Sequence, residues 1–74
     1  MDYRLTPEDR ERVAMLAVVE KNGLKLFTRE ELIRLRELLE KKDYSHNRKA
    51  VRSKNRLLRK INIAIYEREN AEEI

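Results

Sequence analysis

Residues Ser45 to Tyr66 read Ser-His-Asn-Arg-Lys-Ala-Val-Arg-Ser-Lys-Asn-Arg-Leu-Leu-Arg-Lys-Ile-Asn-Ile-Ala-Ile-Tyr. This stretch contains seven Lys and Arg residues and no Asp or Glu. It also lacks Gly and Pro, the residues that most strongly interrupt helices. At about 100° per residue, most of its apolar positions fall on one side of an α-helix and most of its cations fall on the other. The stretch therefore predicts one continuous helix with an apolar face and a basic face.

The two faces of this helix have opposite chemistry. The predicted core face comprises Val51, Leu58, Ile61 and Ile65, flanked by Ala50, Leu57 and Ala64. The predicted basic face comprises Arg48, Lys49, Arg52, Arg56, Arg59 and Lys60. Like charges on neighbouring turns repel by about 0.2–0.5 kcal/mol per pair, and no acid is interleaved to relieve them. Lys54 is an exception within the apolar arc, where either its stem packs and its amine reaches water, or the helix leaves the core.

The net charge of +4 is concentrated in this stretch. Residues 1–44 contain ten acidic and ten basic residues, and residues 67–74 contain four acids and one Arg. Uninterrupted positive charge on one face is typical of a surface that binds nucleic acid. Two other interpretations remain open, namely a merely solvated helix face and a surface that binds an acidic protein.

A first helix is predicted near the start of the chain. Thr6 can cap it, and Pro7 suits its first position because the missing N–H is not needed there. The helix should run to about Asn22 and end at Gly23, the only glycine, which can adopt a left-handed conformation. Its middle, residues 13–19, is apolar on all sides, which predicts burial by neighbours over most of its surface.

The second predicted helix runs from Arg29 to Lys41. Thr28 and Glu31 have the spacing of a capping box. Phe27 and Leu32 have the spacing of a hydrophobic staple across the same helix start. A single apolar face is formed at helical spacing by Leu32, Leu35, Leu38 and Leu39. The third helix should then begin at a cap provided by Asp43 or Ser45 and reach Glu69 or beyond.

These elements predict an all-α fold, a single three-helix domain over residues 1–74 with a long C-terminal helix. Residues 1–5 would form an N-terminal arm, and residues 67–74 an acidic C-terminal end. A core in 74 residues is marginal and the chain has no cysteine for disulfides, so a homodimer is expected. Apolar residues continue on the basic side of the third helix at Ile63 and Tyr66, which are the predicted dimer contacts.

The function predicted from these features is nucleic-acid binding, most simply to duplex DNA, by a small transcriptional regulator or an architectural protein. The layout resembles a helix-turn-helix, in which the second helix enters the major groove. The candidate base contacts are Asn47, Arg48, Arg52, Ser53 and Asn55, and the candidate phosphate contacts are Lys49, Arg56, Arg59 and Lys60. Duplex is preferred because no aromatic residue is interleaved with these cations. The alternative is a helical interaction or inhibitor module that binds an acidic protein surface.

Other classes of function find little support in the sequence. Ser45 and His46 are sequence neighbours without an evident third member, so they do not predict a nucleophilic site or an enzyme. With a single histidine and no cysteine, the sequence does not predict a metal site. It also has no glycine-rich loop, so it predicts neither a nucleotide cofactor nor another small-molecule ligand. The longest apolar run, Val13 to Val19, is too short to cross a membrane, and no signal peptide is apparent. A cytoplasmic protein is expected.

Overall fold

The computed structural model describes residues 6–72, with the backbone alone at Glu72. It contains three α-helices: α1 (Pro7–Asn22), α2 (Arg29–Lys41) and α3 (Arg48–Glu72). The predicted all-α, three-helix fold is thereby confirmed, and no strand occurs within residues 6–72. The predicted arm, residues 1–5, and the last two residues of the acidic end lie outside the described residues.

Both early helices begin with the caps that the sequence predicts. The backbone N–H of Glu31 donates to Thr28 Oγ1 at 3.2 Å, and the N–H of Thr28 donates to Glu31 Oε1 at 2.9 Å. The same reciprocal pair joins Thr6 and Asp9, at 3.0 and 3.2 Å. Each box satisfies two backbone donors that the first turn would otherwise leave free. Gly23 closes α1 with φ of 70°, and its N–H donates to the carbonyl of Val19 at 2.8 Å.

The start of α3 differs from the prediction. Asn47, rather than Asp43 or Ser45, caps this helix, since its Oδ1 accepts from the N–H of Ala50 at 3.1 Å. Asp43 is occupied elsewhere, because its Oδ1 accepts from the N–H of Ser45 at 2.8 Å and closes a local turn. Asp and Asn both bond backbone donors two or three residues on, so composition alone does not decide which of them begins the helix.

The core lies where α2 meets α3. Its buried side chains are Phe27, Leu32, Leu35, Leu39, Ile61 and Ile65. Polar contacts between the two helices join Arg29 to Glu69, Arg36 to Asn62, and Lys54 to the carbonyl of Lys42. Across these three contacts the residue number rises on the α2 side as it falls on the α3 side. The two helices therefore lie antiparallel along the whole of α2. In a helix-turn-helix the two helices cross at about 90–120°, and this detail of the prediction is not confirmed.

Helix α1 packs on α2 and not closely on α3. Lys41 donates to Glu8 at 2.8 Å and Arg34 donates to Glu11 at 2.9 Å, which makes α1 antiparallel to α2 as well. The predicted burial of α1 on most sides is wrong for the single chain. Met15, Leu16, Val18 and Val19 are half-buried, whereas Val13, Ala14 and Ala17 are exposed. The reason is that α2 covers only one side of α1. Because the middle of α1 is apolar on all sides, its uncovered side exposes apolar residues to solvent.

None of the three described helices, over residues 6–72, is both long enough and apolar enough to cross a bilayer.

Candidate nucleic-acid interface

The surface of α3 that faces away from α2 is basic along its N-terminal half. All six cations predicted on this surface are exposed: Arg48, Lys49, Arg52, Arg56, Arg59 and Lys60. On the opposite side, Ile61 and Ile65 are buried and Leu57 and Leu58 are half-buried against the core. The two-faced helix predicted from residues 45–66 is therefore present from Arg48 onward. We call the six exposed cations the α3 basic face.

None of the cations of the α3 basic face forms an ion pair with a carboxylate of the described chain. The fold therefore does not mask them internally, at least within residues 6–72. Their spacing brings neighbours of like charge together on successive turns, which disfavours the unbound helix. An external polyanion can relieve this repulsion and gain several charge-assisted hydrogen bonds.

The other helices treat their cations differently. Arg34 makes a two-point contact with Glu11, with both N–O distances at 2.9 Å, and it also lies near Glu8. The hydrogen bond from Lys41 is the main cause that lowers the pKa of the Glu8 carboxyl. The hydrogen bond from Arg34 likewise lowers the pKa of Glu11, and the same contact raises the pKa of Arg34. Arg34 and Lys41 hold α1 against α2 and are not available to a partner. Arg10 and Lys21 of α1 also have no carboxylate partner in the described chain, but they lie about three turns apart.

Two cations on α3 act within the fold. For Lys54 the sequence offered a packed stem as one of two alternatives but not its acceptor, and for Arg68 it indicated no role. Lys54 Nζ donates to the carbonyl of Lys42, the cap residue that follows α2, at 3.3 Å, and lies 5.7 Å from the centre of the Tyr44 ring. This geometry agrees with a packed stem whose amine reaches the surface. It also places a positive charge at the negative end of the α2 dipole. Lys54 is therefore excluded from the α3 basic face.

Arg68 fastens the connector between α1 and α2. Its guanidinium donates to the carbonyls of Phe27 at 2.7 Å, Leu24 at 3.0 Å and Lys25 at 3.2 Å. These carbonyls lie in a segment outside the helices, where backbone acceptors need other donors. The Leu24 carbonyl also accepts from the N–H of Phe27 at 3.2 Å, so it has a second donor within the connector. A planar guanidinium can serve several acceptors at once. No signal near Arg68 in the sequence indicates this role, because its acceptors are 41–44 positions away.

The predicted polar contacts of the interface are dispersed. Asn47 uses its Oδ1 to cap α3, so a two-point contact with adenine would have to break that hydrogen bond. Ser53 lines an apolar cavity of about 210 Å³ together with Leu16 and Leu39. Asn55 is exposed at the other border of the α3 basic face. The structure therefore brings the cations together on one surface but does not gather these three polar side chains among them.

The predicted dimer contacts lie on the same outer surface of α3, beyond Lys60. Ile63 is 60% exposed and Tyr66 is 65% exposed. They continue the line of Arg56 and Arg59 at helical spacing, so the outer surface changes from basic to apolar at Ile63. None of the residues 6–72 covers this apolar segment.

Helices α1 and α3 are separated by an open groove. A pocket of about 470 Å³ between them is lined by Val19, Leu24, Ala64, Lys60, Glu67 and Arg68. No cluster of three or more potential metal ligands occurs in the described part of the chain. His46, the only histidine, is exposed in the turn before α3.

Comparison of this chain with protein-family models, with curated proteins and with solved structures gives no match.

Proposed function

We propose that this protein binds nucleic acid, with duplex DNA preferred over RNA, through the α3 basic face. The observation that carries the proposal is a contrast within one small fold. Arg12, Arg29, Arg34 and Lys41 are paired with carboxylates, and the cations outside α3 that are unpaired within residues 6–72, such as Arg10, Lys21 and Lys25, are dispersed along the chain. The six outward cations of α3 share one surface and have no carboxylate partner in the described chain. Unpaired cations aligned on one exposed helix are suited to phosphates, which dominate affinity for nucleic acid.

The dimensions of the α3 basic face suit a duplex. Its cations extend from Arg48 to Lys60, twelve residue steps or about 18 Å at a rise of about 1.5 Å per residue. A helix with its side chains is about 10–12 Å wide and fits the major groove, which is about 12 Å wide. Since α2 lies on the opposite side of α3, it does not obstruct the approach. Cations in this arrangement contact phosphates more readily than they read bases, which suits an architectural protein or the anchoring part of a regulator.

The proposal is tested by replacing part of the α3 basic face. The face variant carries Arg52→Ala, Arg56→Ala and Arg59→Ala, all at exposed positions. For duplex DNA, the plot of log affinity against log salt should be steep for the wild type. In the face variant it should be shallower by about 2–3, since each phosphate contact contributes about 0.9 to the slope. Electrophoretic mobility shift or fluorescence anisotropy at several salt concentrations measures this change.

A matched control separates the basic face from net charge. The control variant carries Arg10→Ala, Lys21→Ala and Lys25→Ala, which removes the same charge from exposed positions outside α3. It should retain the wild-type slope. Equal slopes for the wild type and the face variant would refute the proposal. Equal losses in both variants would also refute it, because binding would then follow overall charge.

The nucleic acid is identified by comparing duplex DNA, single-stranded DNA and duplex RNA of equal length in the same assay. The absence of interleaved aromatic residues among the cations predicts that the single strand binds more weakly than the duplex. If no nucleic acid binds at low salt, while an acidic protein is captured even after nuclease treatment, the α3 basic face is a protein-binding surface instead.

A further inference from the structure

We infer that the exposed apolar segment of α3 binds a second copy of this chain, with the two α3 helices antiparallel around a two-fold axis on the outer side of α3, at the level of Ala64. The inference concerns assembly and does not depend on nucleic-acid binding. It begins from Ile63 and Tyr66, two large exposed side chains one turn apart on the outer surface of α3. Large neighbouring apolar side chains that are exposed in a single chain often mark an interface.

The charges beside this apolar pair specify the partner. Lys60 and Glu67 are both exposed and seven residues apart, so they lie on the same flank of the helix, two turns from each other. Along the helix axis, the charged pair and the apolar pair have nearly the same midpoint. It falls at the level of Ala64 for Lys60 and Glu67 and also for Ile63 and Tyr66. A two-fold axis at that point places Ile63 against Tyr66 of the second copy. It also places Lys60 beside Glu67 of the second copy, and both contacts occur twice.

The antiparallel direction follows from the same charges. A parallel pair would bring Arg52, Arg56 and Arg59 against their own copies and bury repulsion between like charges. In the antiparallel pair, the second copy of α3 reaches residue 72 at about the level of Leu57. Arg48, Lys49, Arg52 and Arg56 therefore stay outside the contact and remain open to phosphates. Arg59 and Lys60 lie beside the second copy, where each Lys60 gains a carboxylate partner.

The exposed apolar surface of α1 fits a symmetric partner less well. Val13 and Ala17 are exposed there, and the midpoint between them is near Met15. An antiparallel copy around that point would bring Arg10 beside Lys21 of its partner, because these two cations share one flank at nearly equal distances from the midpoint. The charges thus oppose self-association through α1 and favour it through α3.

Light scattering coupled to size-exclusion chromatography, without nucleic acid, tests the inference first with apolar variants. The wild type should have twice the 9.0 kDa mass of one chain. Ile63→Ser should give the mass of a monomer with unchanged helical circular dichroism. Leu26→Ser is the matched control, because Leu26 is 61% exposed but lies outside the interface, and it should remain dimeric. A monomeric wild type at the highest soluble concentration, a larger oligomer, or a dimeric Ile63→Ser variant would overturn the inference.

A charge exchange tests the direction of pairing. Lys60→Glu and Glu67→Lys each place like charges together twice, so each should weaken the dimer about tenfold or more by analytical ultracentrifugation at low salt. The double variant, Lys60→Glu with Glu67→Lys, restores opposite charges and should recover most of the wild-type affinity. Failure of the double variant to recover, or no effect of either single variant, would rule out the antiparallel pairing.

Discussion

Arg68 shows how one side chain can hold an irregular segment in place. Its three acceptors lie in the connector between α1 and α2, and the contact with Phe27 is the shortest, at 2.7 Å. The core residue Phe27 is itself in this connector, so Arg68 also helps to fix a buried apolar side chain. Hydrogen bonds from a charged donor each contribute about 1.5–3 kcal/mol, and those at the solvent edge contribute less.

We therefore expect Arg68→Lys to reduce the free energy of unfolding by about 1–3 kcal/mol, although the charge is kept. A lysine amine cannot reproduce the planar fork that serves several carbonyls. Denaturation in urea, followed by circular dichroism, measures the change. Arg59→Lys is the control, because Arg59 is exposed and makes no hydrogen bond within the described chain, and its effect should stay within about 0.5 kcal/mol. Equal stability of Arg68→Lys and the wild type would show that the hydrogen bonds from Arg68 to the connector contribute nothing to the free energy of unfolding.

Asp9 gives the fold an acid-sensitive contact. Hydrogen bonds, first from Arg12 and then from Thr6, lower the pKa of its carboxyl from 3.8 to about 2. A carboxyl whose pKa is lowered in the folded state stabilises the protein above its unfolded pKa. That contribution is lost as the pH falls from about 4 through about 2.

The melting temperature of the Asp9→Asn variant should therefore fall less between pH 4 and pH 2 than that of the wild type. Its melting temperature at neutral pH should be lower than that of the wild type, because the ion pair with Arg12 is absent. Thermal melts in a pH series test both statements. Glu40→Gln is the control, because Glu40 is exposed and has no ion pair in the described chain. Its melting temperature should fall between pH 4 and pH 2 as steeply as that of the wild type. An unchanged decline for Asp9→Asn would contradict the prediction.

At the scale of elements, the sequence predicts what depends on near neighbours in the chain. The capping box of Thr28 and Glu31 is confirmed because both partners lie within three residues. The bounds of α2 are also those predicted, since its caps and its apolar spacing agree. The exposed outer side of α1 could not be predicted, because composition does not say how many neighbours a helix will have. The hydrogen-bond acceptors of Arg68 could not be predicted for a similar reason, because contacts between distant parts of the chain depend on how the helices pack.

Since α2 packs against both other helices, its buried leucines should have the largest effect on stability. Leu35 is fully buried, and Leu35→Ala should lower the free energy of unfolding by about 2–5 kcal/mol, the usual range for Leu→Ala in a core. Leu26→Ala, at an exposed position, should cost less than about 0.5 kcal/mol. Urea denaturation of both variants compares them. Similar losses would contradict a core centred on α2.

For the whole molecule, the separation of charge is the feature most closely linked to function. The outward orientation of the cations was predictable, because helical periodicity assigns each residue of a continuous helix to a face. Their lack of carboxylate partners was not, since it depends on how α1 and α2 place their acids. Those acids face the cations of the α1–α2 contact, where Glu8 and Glu11 meet Arg34 and Lys41.

A small fold of this kind should respond strongly to a ligand of its basic face. Duplex DNA at a free concentration about 100 times its Kd stabilises the folded state by about 2.7 kcal/mol. In a domain of this size, about 4–8 °C of melting temperature corresponds to each kcal/mol, so differential scanning fluorimetry at low salt should show a rise of about 10 °C or more. The control variant should show the same rise, and the face variant should show little at the same DNA concentration. A rise retained by the face variant would place the binding surface elsewhere on the molecule. A rise lost from both variants would mean that total charge, and not its alignment along α3, determines the interaction.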